Sequence, residues 1–495
     1  MGTFVLTPDE MREIDRWTIK EFGIPGFTLM ESAGRGIVEI IESECEGDKV
    51  IVCAGGGNNG GDGFVVARYL LNRGYKVLVV FTGKFSKLKG EARKNYLLFK
   101  KLGGEVVKLH DFDMAYLKEA DIIVDAIFGT GFKGEVKGEI ADLIDVINQQ
   151  DACVVSVDIP SGVNGLTGMV GKTAVLADIT GTMAFPKRGL LLYPGRFYAG
   201  EIYVIDIGVP YNIPFEPPFR LLDEEEFYLP FKLGNEHKGK NGKLLVIAGS
   251  SGYTGAPQLV ADAAQKIGAG LVYLAVRKEV YTQVSAKIID PVVVSYENYS
   301  DIERLIGEFE PDGVVFGPGV GRRDDTVNIL KMLLAKKDLP LIVDADGIWT
   351  LSELKHIEKR DKVAITPHPG EAALLVKSPP HDIDRERFAF ALKLRERTGF
   401  EVVLKGNPTI LSTSYGNYVN VLGNEGLGKG GSGDVLSGII GGLLVQTDDL
   451  SNALLAGVFI HALLGDILYE EMNGPYYVPH DLVENIHKAM GVLND

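Results

Sequence analysis

The strongest constraint on this chain is the stretch Asn424 to Gly438, N-E-G-L-G-K-G-G-S-G-D-V-L-S-G, where six glycines surround Lys429 and an acid opens an apolar, helix-like run. Glycines crowd together where backbone enters unusual dihedral space or approaches a ligand closely. A run of free N–H groups feeding a helix N-terminus is an anion cradle. Asp434 stands at the start of that helix, where its own charge would repel a phosphate, so it calls for a second task. A division of labour follows: the backbone of Gly431, Ser432 and Gly433 holds the anion, and Asp434 handles a proton. The plainer alternative is an aspartate N-cap after a flexible loop. The order is not that of a P-loop, because Gly428-Lys429 is followed by glycine rather than Ser or Thr.

At 495 residues the chain is too long for one hydrophobic core, so two or three domains are expected. A formal charge of -16 disfavours nonspecific binding to nucleic acid or acidic membranes. The three cysteines, Cys45, Cys53 and Cys153, lack metal-site spacing and suggest no disulfide scaffold. Cys53 and Cys153 lie in apolar runs and read as small buried hydrophobes. The start TFVLTPDEMREID is charged and capped, unlike a signal peptide, and no uncharged apolar run is long enough to cross a membrane. A cytoplasmic enzyme or binding protein is the class that remains.

In the first half, Thr7-Pro8-Asp9-Glu10 has a capping-box pattern, predicting a helix through Lys20, with a second over 28–43. KVIVCAG, Lys49 to Gly55, reads as a buried strand. The glycine-rich turn Gly56 to Gly63 follows, then a helical run VVARYLLNRG and a second strand KVLVVFTG. This is a βαβ unit, but its turn lacks the usual dinucleotide order. Its asparagines and aspartate offer oxygens that suit a sugar, an amide or a hard cation as well as phosphate, or simply a tight Asx turn. Asp125 falls inside the apolar strand of DIIVDAIFGTG, where something cationic or hydrogen-bonding should meet it. Asp158 and Ser161 stand at the end of the next strand, in VDIPSG. Ligands of open α/β sheets bind outside the carboxyl ends of the strands, so Asn59, Asp125, Asp158 and Ser161 are expected to share one cleft. Strand-like pieces over 174–180 and 201–207 extend the sheet, and proline-rich YNIPFEPPFR, Tyr211 to Arg220, reads as a linker.

The second half repeats strand, glycine-rich turn and helix at GKLLVIAGSSGYTGAP, at DGVVFGPGVG and at LPLIVDADG, which ends in Asp344 and Asp346. VAITPHPGE presents His368 in a turn fixed by prolines, or in a plain surface turn. EVVLKGNPTIL presents Lys405 and Asn407 after a strand. Helices over 435–444, 451–470 and 481–490 complete a domain of a different α/β fold.

Taken in order, these motifs resemble the bifunctional NAD(P)H-hydrate repair family, a fusion of a YjeF N-terminal epimerase domain and a ribokinase-like dehydratase domain. The resemblance rests on Asn58-Asn59-Gly60-Gly61-Asp62-Gly63, Asp125 to Gly131 and Val157 to Gly162 in the first half. In the second it rests on Thr366 to Glu371, Lys405-Gly406 and Gly430 to Asp434. It implies an α/β fold with a Rossmann-like three-layer N-terminal domain over 1–210, a linker over 211–224 and a ribokinase-like three-layer α/β/α domain over 225–495.

The resemblance also implies the site residues. Asn58, Asn59, Gly60, Gly61 and Asp62, with Gly129, Thr130, Gly131, Phe132, Lys133, Gly134 and Glu135, would bind the hydrated dinucleotides NADHX and NADPHX. Asn59, Asp125 and Ser161 would hold K+, and Asp158 would act on the substrate as acid and base. In the second domain, Lys405, Gly406, Asn407, Pro408 and Thr409 would contact the adenylate. Gly431, Ser432 and Gly433 would cradle phosphate, Gly255, Gly317 and His368 would line the hydrate pocket, and Asp434 would be the base. ADP is the implied phosphoryl donor, leaving AMP, with Mg2+ bridging phosphates. Neither nucleic acid nor membrane is an implied partner, and the family suggests a homo-oligomer. Two other readings compete: a ribokinase-like small-molecule kinase fused to a dinucleotide-binding module, and a first domain that senses dinucleotide or binds protein without turnover.

Overall fold

The computed structural model describes residues 3–230 and 241–494, which divide into two compact units, Thr3–Pro218 and the residues from Phe219 onward. The first is built on seven strands: β1 (Lys49–Ala54), β2 (Lys76–Phe81), β3 (Glu105–Lys108), β4 (Ile122–Ala126), β5 (Cys153–Val157), β6 (Ile179–Met183) and β7 (Glu201–Ile205). Every pairing is parallel, in the order β3-β2-β1-β4-β5-β6-β7. The Val/Ile-rich inner strands are buried on both faces, as a parallel sheet covered by helices requires, while the edge strands β3 and β7 are partly exposed. Strand order reverses between β1 and β4, and the chain segments leaving those two strands open a crevice.

Several local expectations change. The segment Asn58 to Gly63 is not a turn but the first part of a helix, Asn58–Asn72, so only Gly55 to Gly57 makes the turn. Glycine is needed there for close approach: a Cβ on Gly60 would lie 1.9 Å from the Gly55 carbonyl oxygen. The strand expected over 174–180 begins at Ile179, and the expected first helix ends at Trp17 in a single π turn, Thr18–Phe22. Cys153 is not a separate buried hydrophobe but pairs with Cys45, against the expectation of no disulfide. They form a disulfide joining the end of the helix Gly26–Glu44 to the start of β5, across 108 residues of chain, and Cys53 alone is free and buried.

The second unit carries β8 (Arg220–Leu221), β9 (Lys243–Ile247), β10 (Leu271–Arg277), β11 (Val292–Tyr296), β12 (Gly313–Phe316), β13 (Leu341–Val343), β14 (Val363–Ile365), β15 (Glu401–Leu404), β16 (Thr409–Thr413) and β17 (Gly416–Asn420). Their order is β11-β10-β9-β12-β13-β14-β15-β16-β17-β8. Pairing is parallel from β11 to β15, antiparallel through β16 and β17, and parallel again at β8. Arg220 and Leu221, read from sequence as linker, thus belong to this sheet. One of its faces is covered by the helices Ala256–Lys266, Ser432–Thr447 and Leu450–Glu471. Leu450–Glu471 has the length and apolarity of a membrane span, which the sequence reading did not anticipate, but 83% of its most apolar window is buried inside this unit.

Candidate active sites

In the first unit the crevice at the strand-order reversal is a cavity of about 760 Å³. Asn58, Asn59 and Asp62 from the helix after β1, Gly129 to Lys133 from the loop after β4, and Asp158 from the end of β5 all line it. Gly60 and Gly61 do not; they pack inward, Gly61 against Met30 and Ala92. Gly134 and Glu135 also lie outside the lining.

Asp125 is fully buried and met by hydrogen-bond donors rather than by a cation. One carboxylate oxygen accepts from the Ser161 hydroxyl at 2.5 Å and the Ile127 N–H at 3.3 Å. The other accepts from the Ser161 N–H at 2.7 Å and the Ser156 hydroxyl at 2.9 Å. Burial still pushes its pKa upward, although these donors oppose the shift. The Phe128 carbonyl oxygen lies 3.3 Å from Ser161 Oγ, and the Asn59 amide nitrogen is buried without a hydrogen-bond partner. The Phe128 carbonyl, the Ser161 hydroxyl and the Asp125 carboxylate stand together as oxygen groups of the kind a hard cation takes, whereas the unpartnered Asn59 atom is a donor nitrogen.

Asp158 takes an unusual backbone conformation, φ 68°, at the end of β5. Its carboxylate receives the Lys187 ammonium at 2.6 Å. Lys187 is 1% exposed, and its ammonium also donates to Thr182 Oγ1 at 2.9 Å and the Met183 carbonyl at 2.8 Å. Three donors thus meet three acceptors, leaving the lysine no proton for a ligand. Asp15 and Asp62 face the same cavity. Burial raises Asp15 to about 6, with Lys187 opposing and Asp158 reinforcing, and raises Asp62 well above its ordinary value with help from Asp158 and Asp15. Lys187 and Asp15 were missed in the sequence, where neither sits in a motif.

In the second unit Gly431 has φ 104°, a left-handed conformation open to glycine, and opens the helix Ser432–Thr447 with Asp434 in its first turn. Lys429 does not face an anion: its ammonium is tied to the carbonyls of Pro475 and Tyr477. The cation beside the loop is Lys405, whose ammonium lies 3.2 Å from where a Gly433 Cβ would stand. Burial, then repulsion from Asp344, lifts Asp434 to about 7, while Lys405 opposes. Ser432 Oγ lies 3.1 Å from Nε2 of His461, a histidine that burial lowers to about 4 and so keeps neutral.

The turn after β15 is pinned by Arg387, which bonds the carbonyls of Lys405 and Pro408, and it carries Gly406, Asn407 and Thr409. His368 caps the helix Pro369–Val376, its Nδ1 accepting from the Gly370 N–H at 3.0 Å, and its ring is 57% exposed. Gly317 follows β12, and Gly255 caps the helix Ala256–Lys266.

The model of the "YjeF-related protein N-terminus" matches residues 26–189, and that of "NAD(P)H-hydrate dehydratase" matches residues 244–488. The chain is 37% identical to a bifunctional NAD(P)H-hydrate repair enzyme of Moorella thermoacetica over 491 residues, covering 94% of this chain and 92% of the relative. It belongs to the bifunctional NAD(P)H-hydrate repair family. A member of that family from Coxiella burnetii is likewise 37% identical, covering 93% of this chain and 94% of its own. Among solved structures, a ribokinase-like superfamily protein from Enterococcus faecalis aligns with a TM-score of 0.51 and 25% identity, over 57% of this chain and 99% of its own. Repair-family membership therefore covers both units, and the ribokinase-like fold is that of the second.

Proposed function

We propose that the chain repairs hydrated nicotinamide dinucleotides in two steps, epimerising the R and S forms of NADHX and NADPHX in the first unit and dehydrating the S form with ADP in the second. The observation that carries this is Asp434. A carboxyl with a pKa near 7 stands beside Lys405 in the first turn of a helix opened by Gly431. That combination suits removal of a proton from a hydroxyl next to a bound phosphate.

In dehydration Asp434 takes the proton as the hydrate's hydroxyl oxygen bonds to the terminal phosphorus of ADP and AMP departs. The phosphorylated carbinol then loses phosphate as the ring nitrogen's lone pair forms an iminium, and loss of a proton from the adjacent ring carbon restores the dihydropyridine. The Ser432 N–H is taken by the Lys429 carbonyl at 3.1 Å, so of the three expected donors the N–H groups of Gly431 and Gly433 are left, with the Lys405 ammonium, to face the charge that develops on the phosphate. The turn Lys405 to Thr409 holds the adenylate, and Gly255, Gly317 and His368 border the hydrate. Among the described residues no cluster of three His, Cys, Asp or Glu is arranged for a metal. Mg2+ would accordingly be held chiefly by the nucleotide phosphates, whose charge it would neutralise.

In epimerisation a proton of the Lys187 ammonium passes through the Asp158 carboxylate to the departing hydroxyl, a planar ring iminium remains, and water adds to the opposite face while its proton returns through Asp158 to Lys187. Lys187 keeps that carboxylate aimed into the cavity. Asn58, Asn59 and Asp62, with Gly129 to Lys133, surround the dinucleotide. Asn59, Asp125 and Ser161 would hold K+, whose charge compensates the buried carboxylate. A homo-oligomer is part of the same reading.

The test supplies a mixed R and S hydrate pool with ADP. All of it becomes NADH or NADPH, with one AMP and one phosphate for each, whereas Asp158→Asn protein consumes the S portion and stalls. Full conversion without ADP consumption would refute the phosphoryl route.

A further inference from the structure

We propose that Asp344 is the positioning residue of dehydration, holding the Lys405 ammonium at the mouth of the Gly431 to Gly433 loop so that Asp434 is left to meet the substrate hydroxyl. The inference rests on the reading of Asp434 as the base. Asp344 follows β13, is 1% exposed, and uses both carboxylate oxygens: one accepts from Lys405 at 2.7 Å, the other from Ser437 Oγ at 2.6 Å. Ser437 lies three residues after Asp434, on the same face of the same helix. One carboxylate therefore ties the lysine to the helix that carries the proposed base.

The anchor is itself fixed. The Asp344 N–H donates to the Phe316 carbonyl at 3.0 Å, and its carbonyl accepts from the Gly347 N–H at 2.8 Å. Gly317, at φ 131°, passes so close that a Cβ there would come within 1.9 Å of that carbonyl oxygen. Lys405 is held by its backbone as well, through its N–H to the Pro367 carbonyl at 2.8 Å.

The need for an anchor follows from the charges around Asp434. Facing it are Asp344 at the end of β13, Asp346 at the start of the helix Asp346–Ser352, Glu371 on the helix Pro369–Val376, and Lys405 after β15. His461, on the helix Leu450–Glu471, is neutral. A lysine ammonium on a flexible stem among four carboxylates, Asp434 included, will pair with one of them. If it paired with Asp434, the base would lose both its freedom and its raised pKa. Burial alone would push the Asp344 carboxyl up, but Lys405 and Ser437 hold it below the usual range, so it is the acid that claims the lysine.

The experiment measures the pH profile of ADP-dependent dehydration in full-length wild-type, Asp344→Asn, Lys405→Met and doubly substituted protein. Asparagine keeps the shape and one acceptor for Lys405, its amide nitrogen donates to Ser437 Oγ where the carboxylate accepted, and the charge is removed. The acid limb, near pH 7 in wild type, should move down by about one unit in Asp344→Asn protein, and the plateau should fall about tenfold. At the plateau the double variant should match Lys405→Met alone, because Asp344 acts there through the lysine. An unmoved limb in folded Asp344→Asn protein overturns the proposal. So does a further loss in the double variant, a comparison that stands even where Asp344→Asn alone does not fold. If Asp434→Ala protein keeps the wild-type limb, the reading of Asp434 as base has failed instead, and the two failures are told apart.

Discussion

The two sites contain the same ingredients, a glycine-rich entry to a helix, an acid at its work and a buried lysine, yet they are wired in opposite senses. In the first unit the lysine binds the working acid directly, Lys187 to Asp158 at 2.6 Å, and all three of its protons are spoken for. In the second the lysine is bound by a different acid, Lys405 to Asp344 at 2.7 Å, and Asp434 rises to about 7. A carboxylate that must relay a proton out and back between a lysine and a substrate hydroxyl gains from a fixed orientation. A carboxylate that must only take a proton gains from basicity. The difference teaches that a buried Lys–Asp pair does not by itself mark the reacting acid, which is the partner in one unit and the neighbour in the other.

The sharpest way to break this comparison is to remove each acid and watch both activities. Asp434→Ala should lower dehydration by about a thousandfold and leave epimerisation and AMP binding near wild type. Dehydration within a few-fold of wild type would end the assignment. Lys187→Met should lower epimerisation by about a hundredfold, because Asp158 loses its aim, and the buried carboxylate left alone should cost the first unit about 3 kcal/mol. Adding Asp158→Asn should restore much of that stability but none of the activity. A thermal-melting series read beside the epimerase assay separates these outcomes.

The legibility of the two sites differed for the same physical reason. Glycine-rich segments behind apolar runs announced both sheets and the ends of their strands, because glycine placement is local. Asp125, Asp158 and Asp434 stood out as acids in apolar or glycine-rich surroundings. Lys187 lies 29 residues from Asp158, and Lys405 lies 61 residues from Asp344; such partners meet only after the sheet assembles. Lys429, the lysine conspicuous in the sequence, proved to be a tie to the Pro475 and Tyr477 carbonyls. The Asn58 to Gly63 segment was read as a turn because its composition is that of one, whereas tertiary packing recruits its glycines into a helix that presses on Gly55. The Cys45–Cys153 bond was invisible for the same reason as the lysine pairs, since 108 residues separate its ends.

A gentler test uses pH alone. Asp434 must be deprotonated to act as a base, and its pKa is raised to about 7. Dehydration at saturating ADP and hydrate should therefore rise with pH, reach half its plateau near 7, and fall about tenfold for each unit below it. Replacing Glu371 by Gln removes a neighbouring negative charge that contributes to the rise, so the midpoint should move to lower pH. A midpoint that stays in place, or moves up, would mean that the limb belongs to another group.

The smallest expected effect concerns the floor of the anion loop. Ser432 Oγ lies 3.1 Å from His461 Nε2, and burial holds His461 down to about 4, so the imidazole is neutral across the range in which Asp434 titrates. Its work is geometric: it fixes the serine between Gly431 and Gly433, whose N–H groups would face phosphate, and no charge changes there as pH moves from 6 to 8. Ser432→Ala should raise the KM for ADP about threefold, one modest hydrogen bond's worth, by the same factor at both ends of that range, with the midpoint near 7 unmoved. A factor that grows toward low pH would show that the serine reports on the titrating acid, and the separation between a charged arm and a neutral floor within this site would be lost.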